Sequence, residues 1–324
     1  MEPIEGLIHA FILDGQGGGE EIGWDRIRSW SPEQGFLWVH LQSDQSLAND
    51  WLSRESGLDE LLLRAILDTN SNPRLLKEGN GILTTLRGIN FNRGADPEDM
   101  AFLNIWLDEN RAITVRQEKL KSVQDIYHAI SIKKGPVDGP GLLIRLLDRL
   151  FKRMEPILDH LEQELDNIEI QSSKETNETL ADKLLDLRHE VIELRRHLIP
   201  QHRALEALYN EPIPWIKKVH KRWVREKSNQ LLRFLADLES FRDRAVVMQD
   251  EIRNSSSERM NRAMYMLSVL TGIFLPMGFL TGLLGINVGG MPGVEYKWAF
   301  WIVCTLLVFM VAINIWVFRR MKWI

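Results

Sequence analysis

Two sets of side chains in the middle of the sequence have the types and the spacing to handle a metal ion. The first is a run of carboxylates that recur every three or four residues, as they must to share one face of a helix: Glu155, Asp159, Glu162, Asp166 and Glu169. Such a face is either an ordinary solvated surface or, repeated around an oligomer, a source of negative potential that concentrates divalent cations. We favour the solvated surface and keep the cation-binding role open.

The second set combines two histidines with a glutamate. His189, Glu193 and His197 stand at i, i+4 and i+8, so they could share a helix face as zinc ligands. Three arginines lie within residues 188–196, and their positive charge opposes the binding of a cation. The order of the residues also differs from the His-Glu-x-x-His motif of metalloproteases. An ordinary solvated helix face is again the favoured interpretation.

Other kinds of chemistry have little support. The sequence contains no recognisable pairing of a nucleophile with a base and no phosphate-binding loop, so we expect neither an enzyme nor a bound cofactor. The glycine-rich segment 14–19 lacks the Lys-Ser/Thr of such a loop and is typical of a turn. The single cysteine, Cys304, excludes an internal disulfide and a multi-cysteine metal cluster. A net charge of −5 gives no basic surface for nucleic acid, which is not an expected partner.

The carboxylates belong to the first of three predicted helices, which follow a segment rich in Gly and Pro at 135–141. A neighbouring face of that helix is apolar: Met154, Leu158, Leu161, Leu165 and Ile168. The second helix is expected from about 176 to 209, with a kink or break at Pro200. The third has no proline or glycine between Pro214 and Gly272, which predicts a helix of roughly 85 Å.

Along the third helix, apolar residues alternate at steps of 3 and 4, the spacing of a coiled-coil seam that packs against other helices: Leu231, Phe234, Leu238, Phe241, Ala245, Met248 and Ile252. Residues 1–135 precede these helices and are typical of a mixed α/β domain. Strands rich in Ile, Leu, Phe and Trp are predicted at 7–13, 36–41, 82–89, 100–107 and 111–116.

The averages over all 324 residues, 44% hydrophobic with a mean hydropathy of −0.19, resemble those of a soluble protein. They hide an uneven distribution. Only Glu295 and four basic residues follow Arg262, so the last 62 residues carry +3 and the rest carry −8. Residues 263–294 and 298–318 are uncharged and each is long enough to cross a bilayer, whereas a buried core hairpin would need a large covering surface.

The charges that flank the spans predict their orientation. Arg259 and Arg262 precede the first span and a basic segment at 319–324 follows the second, whereas the connecting loop holds only Glu295 and Lys297. The positive-inside rule places both termini in the cytoplasm and the loop outside. The N-terminus lacks the basic and apolar regions of a signal peptide.

The first span closes with Gly285-Ile286-Asn287, followed by Val288-Gly289-Gly290-Met291-Pro292-Gly293. Here the chain resembles the CorA superfamily of divalent-cation transporters, in which a Gly-Met-Asn signature ends the first of two C-terminal membrane helices. The loop resembles that of the ZntB zinc-transport subfamily, as do Trp38-Val39-His40-Leu41, the strand region 73–117 and the terminal Lys322-Trp323-Ile324. The resemblance covers the whole chain.

The resemblance implies an α+β cytoplasmic domain, long stalk helices and two C-terminal transmembrane helices, assembled as a homopentameric funnel in a bacterial inner membrane. The units are then a cytoplasmic α/β domain at 1–135, a helical region with the stalk at 141–262, a pore-lining span at 263–286, an external loop at 287–297, a second span at 298–318 and a basic tail at 319–324. The implied partners are further copies of the chain, the lipid bilayer and divalent cations.

In such a funnel, Asn287 would form a ring of neutral carbonyl oxygens that holds a hydrated dication through its waters without binding it too tightly. One helix face leads inward from that ring: Gly282, Gly278, Leu275, Thr271, Leu267 and Met264. Gly285 and Ile286 of the signature also belong to the predicted pore, and Gly285 lets the chain turn just before the ring. Met264, Leu267 and Leu275 could form hydrophobic constrictions. The spacing of Gly278 and Gly282 also fits close helix packing, and this alternative stays open.

The expected function is transport of divalent cations, with Zn²⁺ as the favoured substrate. Magnesium-transporting relatives usually continue the loop as Met-Pro-Glu, whereas this chain has Met291-Pro292-Gly293 and retains Glu295 as the sole carboxylate of the loop. Proton coupling is suggested by the resemblance, yet neither span contains a carboxylate to relay protons. Two alternatives remain: a CorA-type Mg²⁺/Co²⁺ channel and a membrane-anchored scaffold that transports nothing.

Overall fold

A computed structural model describes residues 6–69, 72–96, 98–172, 178–285, 293 and 296–320. The chain divides into two compact units, residues 1–249 and 250–324. The first unit contains all the described strands and most of the helices. The second contains the two apolar segments.

The first unit is built on one mixed sheet. Its strands are β1 Leu7–Leu13, β2 Gly19–Glu21, β3 Phe36–Gln42, β4 Leu75–Glu78, β5 Gly81–Gly88, β6 Ala101–Leu107 and β7 Arg111–Arg116. They lie in the order β2-β1-β3-β7-β6-β5-β4. Only the pair β3 and β7 is parallel among these strands, with Val39 opposite Ile113, and the others are antiparallel.

The five predicted strands are confirmed, with boundaries within a residue of those expected. The sequence patterns missed β2 and β4, which have three and four residues and form the two edges of the sheet. Strands this short carry too few residues for apolar alternation to show. The glycine-rich segment turns the chain between β1 and β2, where the Asp14 carboxylate accepts hydrogen bonds from the backbone N–H groups of Gln16 and Gly18.

Short helices cover the two faces of this sheet. They are α1 Trp24–Arg28, α2 Ser46–Arg54, α3 Glu60–Leu67 and α4 Lys121–Ser131. One face packs against Trp51, Leu52, Leu62 and Ile66 of α2 and α3. On the other face, Tyr127 of α4 lies over Phe11 of β1 with ring centroids 5.7 Å apart. Because both faces are covered, the inner strands read as nearly continuous apolar runs.

Three long helices follow: α5 Gly139–Ser172, α6 Glu178–Asn210 and α7 Lys218–Leu284. The seam on α7 is buried, with Leu231, Leu238 and Ala245 fully enclosed, and the predicted packing against other helices is confirmed within the chain. Phe234 of α7 meets Phe151 of α5 edge-on at 5.7 Å. Lys227 of α7 donates a hydrogen bond to Asp148 of α5 at 2.6 Å.

A kink or break was predicted at Pro200, and the break was wrong, because α6 continues through that residue to Asn210. Proline removes one backbone donor from the helix, which costs stability. Its neighbours compensate through tertiary packing, since Leu198 is fully buried and the Gln201 side chain accepts a hydrogen bond from the backbone N–H of Arg87 on β5 at 2.6 Å. Burial on both sides of Pro200 holds the helix together.

The second unit contains the end of α7 and a further helix, α8 Ala299–Arg320. Both helices are long and apolar enough to cross a membrane. Their large apolar side chains are mostly exposed in the single chain, including Leu275 and Phe300 at 68% and 70%. Exposure of this kind fits lipid or further protein as the surroundings, and the two predicted spans are confirmed.

Candidate functional site

The residues predicted to line a pore occupy one face of α7. Six of them lie between Met264 and Gly282, and all six are exposed in the single chain: Met264, Leu267, Thr271, Leu275, Gly278 and Gly282. The half-buried residues of the same segment form a separate stripe: Val269, Gly272, Ile273, Pro276, Met277 and Leu280. At 3.6 residues per turn the two stripes are centred roughly 165° apart, on opposite sides of the helix.

The half-buried stripe includes the contact between the two apolar helices. A Cβ atom placed on Gly272 would lie 2.9 Å from the ring of Phe318 on α8. Glycine permits this close approach, and a Cβ at that position would force the Phe318 ring to shift. At 3.6 residues per turn, Gly272 lies roughly 95° around the helix from the centre of the exposed stripe. The exposed stripe therefore lies beside the contact with Phe318 and includes none of the residues observed in it.

Two members of the exposed stripe have backbone accessible from outside. A Cβ on Gly278 or Gly282 would meet no atom within 4 Å in the described part of the chain. Thr271 donates its hydroxyl proton to the Leu267 carbonyl at 2.8 Å, which leaves the lone pairs of its oxygen directed outward. The stripe is an apolar surface with one hydroxyl and no charged group.

Helix α7 ends where the signature begins. The backbone N–H of Gly285 donates to the carbonyl oxygens of Thr281 and Gly282, at 2.9 and 3.2 Å. Ile286 and Asn287, the remaining residues of the signature, lie outside the described residues, as does Glu295 of the predicted external loop.

The acidic stripe on α5 is exposed as predicted, but part of its charge is balanced. Arg244 of α7 donates hydrogen bonds to Asp166 at 2.7 Å and to Glu169 at 2.6 Å, and these two carboxylates raise the pKa of the arginine. Glu155 accepts a hydrogen bond from Gln230 at 3.1 Å. Asp159 and Glu162 form no ion pair with any described residue. The negative potential of this face therefore comes mainly from its middle.

The prediction of a solvated helix face for His189, Glu193 and His197 was wrong for His197. His189 is exposed and Glu193 pairs with Arg196 at 3.3 Å. The ring of His197 turns inward, and burial and the charge of Arg87 lower its pKa to about 4. No group of three potential metal ligands comes together among the described residues. The helical spacing predicted that the three residues share a face, but it could not indicate that Arg87 of β5 lies close to His197.

Glu190 of α6 is a second group with a shifted pKa, and no sequence pattern indicated it. Burial and the nearby carboxylates of Glu98 and Glu164 raise its pKa to about 7. Residues distant along the chain create this environment, so no local motif could have revealed it. Its titration belongs to the first unit, outside the membrane segments.

Comparison with known proteins adds independent observations. The family described as "CorA-like Mg2+ transporter protein" matches residues 33–320. The chain is 36% identical to the divalent cation transporter CmaX of Pseudomonas aeruginosa, over 98% of this chain and 97% of that protein. It is 31% identical to the zinc transport protein ZntB of Pectobacterium carotovorum, over 98% of this chain and 96% of that protein.

A solved structure extends the likeness to three dimensions. The full-length CmaX protein matches with a TM-score of 0.87 and 35% identity, over 98% of each chain. The match includes the α/β unit and both apolar helices, because it spans nearly the whole of both chains. With the family matching most of its length, this chain belongs to the CorA-like family of transporters.

Proposed function

We propose that this chain carries divalent cations across a bacterial inner membrane, with Zn²⁺ as its principal substrate. Membership in a family of transporters supports the general activity and argues against an enzyme. The observation that carries the proposal is that the predicted pore stripe on α7 is exposed and separate from the half-buried stripe, which includes the contact of Gly272 with Phe318. The exposed stripe stays available for a central pathway between copies of the chain.

The pathway requires assembly, since a single helix face encloses no pore. We propose a homopentamer in which the stripe of each copy faces the common axis and both termini are cytoplasmic. Met264, Leu267 and Leu275 then form apolar constrictions, and Thr271 adds a ring of hydroxyl oxygens. The alternative use of Gly278 and Gly282, close packing between helices, places the same stripe against neighbouring copies.

Asn287 is assigned to cation capture at the outer end of this pathway. An amide oxygen is a neutral acceptor, so a ring of them accepts hydrogen bonds from the waters of a hydrated dication. Neutral ligands hold the ion less strongly than carboxylates, which permits release into the pore. The acidic stripe of α5, whose middle residues Asp159 and Glu162 are unpaired within the described chain, has a supporting role in attracting cations.

We favour Zn²⁺ over Mg²⁺ as the substrate for two reasons. One relative that matches almost the whole chain is named for zinc transport. The loop also has Gly293 where magnesium-transporting members of the superfamily usually have glutamate. A magnesium channel is the second candidate, and the description of the matching family, which names Mg²⁺, favours it.

Metal flux into proteoliposomes tests whether the chain transports Zn²⁺ or Mg²⁺. The purified full chain is reconstituted with a metal-sensitive dye inside, and Zn²⁺ or Mg²⁺ is added outside with and without a pH gradient. The proposal expects zinc entry at least about tenfold faster than magnesium entry at equal concentration, a difference of about 1.4 kcal/mol in barrier height. Faster magnesium entry would establish the second candidate, and no flux of either metal would favour a scaffold.

A further inference from the structure

The first unit contains a polar cavity that the transport pathway does not use. Its volume is about 730 Å³, and it lies between the connection from β5 to β6, the residues after β7 and one side of α6. Sites for small molecules commonly have volumes of roughly 300–1,000 Å³ with a few convergent polar groups. The cavity is large enough for a metabolite.

Arg87 supplies the inner positive charge of this cavity. Its side chain is half-buried, and the guanidinium donates a hydrogen bond to the Met100 carbonyl at 2.8 Å. Its backbone N–H is fixed by Gln201 of α6 at 2.6 Å. Burial and the charge of Arg196 lower the pKa of Arg87, although the group keeps its proton at any physiological pH. The side chain is therefore held in place as a cation at the cavity wall.

His197 lies on the wall formed by α6. Its Nδ1 atom is shielded from solvent and has no hydrogen-bond partner within the described chain. Because this atom is closed to solvent, a ligand in the open cavity would meet the ring through its other atoms. The groups that act on its charge are Arg87 on β5, Arg196 and Glu193 on α6, and Asp99 on the β5–β6 connection. Together with burial they keep the imidazole neutral.

Two further cations stand at the mouth. Arg93 and Lys119 are exposed, line the cavity and form no ion pair with a described residue. Two carboxylates, Asp99 and Glu118, also line it, and Glu118 accepts a hydrogen bond from Asn90 at 2.8 Å. Three arginine and lysine side chains and two carboxylates thus line the cavity.

We propose that this cavity binds a small metabolite through a phosphate group held by Arg87, Arg93, Lys119 and His197. A guanidinium fits phosphate oxygens with two parallel hydrogen bonds, and lysine adds a point charge. A phosphate has enough acceptor oxygens for four donors from different elements, whereas a carboxylate has two oxygens. The site goes beyond the transport function and is independent of the residues assigned to the pore.

The proposal has a consequence for pH. A bound anion next to His197 stabilises the imidazolium, so binding is accompanied by proton uptake and strengthens as the pH falls. Phosphate itself titrates near pH 7 and would obscure this effect. Sulfate has the same shape without that titration, which makes it the probe for the pH dependence.

The test uses the full chain in detergent and measures the thermal unfolding midpoint against inorganic phosphate, with sodium chloride at matched ionic strength. Phosphate is expected to raise the midpoint with an apparent dissociation constant at least tenfold below that of chloride. Arg93→Gln and Lys119→Gln should each weaken phosphate binding about fivefold or more. Arg54→Gln on α2, an exposed arginine outside the cavity, is the matched control and should leave the affinity unchanged.

Sulfate affinity is then compared at pH 5.0 and 7.5, because the pKa of His197 is about 4 in the free chain and a bound anion raises it. The wild-type chain should bind sulfate several-fold more tightly at pH 5.0, and His197→Gln should remove that difference because a glutamine cannot take up a proton. Phosphate no tighter than chloride, or equal losses in Arg54→Gln and Arg93→Gln, would overturn the site. A pH dependence that persists in His197→Gln would overturn the role given to the histidine.

Discussion

Burial sets the charge state of individual side chains in the first unit. Glu190 and His197 lie two turns apart on α6, and desolvation moves the pKa of the acid up to about 7 and that of the base down to about 4. Both shifts favour the neutral form. The neighbouring residues in the sequence could not indicate these pKa shifts, because the charged groups that contribute to them come from α5, from β5 and from the β5–β6 connection.

Replacing Glu190 with glutamine should make folding stability less dependent on pH. Burial raises the pKa of Glu190 from 4.5 to about 7 in the folded chain. Between these two values the carboxyl is ionised in the unfolded chain and neutral in the folded chain, so the free energy of unfolding is highest below pH 4.5 and falls as the pH rises to 7. Glu190→Gln should therefore be more stable than wild type at pH 8, by about 1–2 kcal/mol after allowance for solvent screening, and nearly equal at pH 4.5.

Thermal unfolding of the full chain in detergent across this pH range measures the effect. Glu162→Gln is the matched control, since Glu162 is exposed and forms no ion pair with a described residue. A stability gain for Glu190→Gln that is equal at pH 4.5 and 8 would mean that packing, and not ionisation, is responsible.

Arg244 gives a second prediction for a single side chain. Arg244→Gln removes the ion pairs with Asp166 and Glu169, which are largely exposed. Exposed pairs contribute little, so the loss in the free energy of unfolding should be about 0.5–1 kcal/mol at low salt. In 0.5 M NaCl the loss should shrink towards zero, because salt screens exposed charges. An equal loss at both salt concentrations, measured by urea unfolding, would contradict an electrostatic origin.

For helices and strands, apolar periodicity predicted much of the structure. It identified the buried stripes on α5 and α7, such as Leu161, Leu165, Leu231 and Leu238, because long amphipathic helices repeat the pattern many times. It failed where few residues carry the signal, as in β2, and where a local preference competes with packing, as at Pro200 in α6. The cavity beside Arg87 has residues from separate elements, which periodicity cannot bring together.

The contact between Gly272 and Phe318 predicts a coupled pair of substitutions. Gly272→Val places side-chain atoms where the Phe318 ring now lies and should lower stability by about 1–3 kcal/mol through overpacking. Phe318→Ala removes the ring and should relieve much of that loss when the two changes are combined. Thermal midpoints of the four forms in detergent give the coupling. Additive effects of the two changes would show that α7 and α8 do not meet at these residues.

For the molecule as a whole, composition is uninformative until it is divided by position. The unit at 1–249 has the sheet and a packed helical core, whereas the unit at 250–324 has exposed apolar helices. The resemblance to the CorA superfamily, based on Gly285-Ile286-Asn287 and its place after the first span, agrees with the family match over residues 33–320. The role of each pore residue depends on assembled copies, and the sequence of one chain carries no direct signal of their packing.

The central claim concerns Asn287, and zinc flux into proteoliposomes tests it most directly. Asn287→Ala removes the amide oxygens that would hold the waters of the ion, and a loss of about 1.4 kcal/mol at the entrance slows entry about tenfold. Asn229→Ala, an exposed asparagine on α7 in the first unit, is the matched control. We predict that Asn287→Ala reduces zinc entry at least tenfold while Asn229→Ala equals wild type. Unchanged zinc entry in Asn287→Ala would contradict the account.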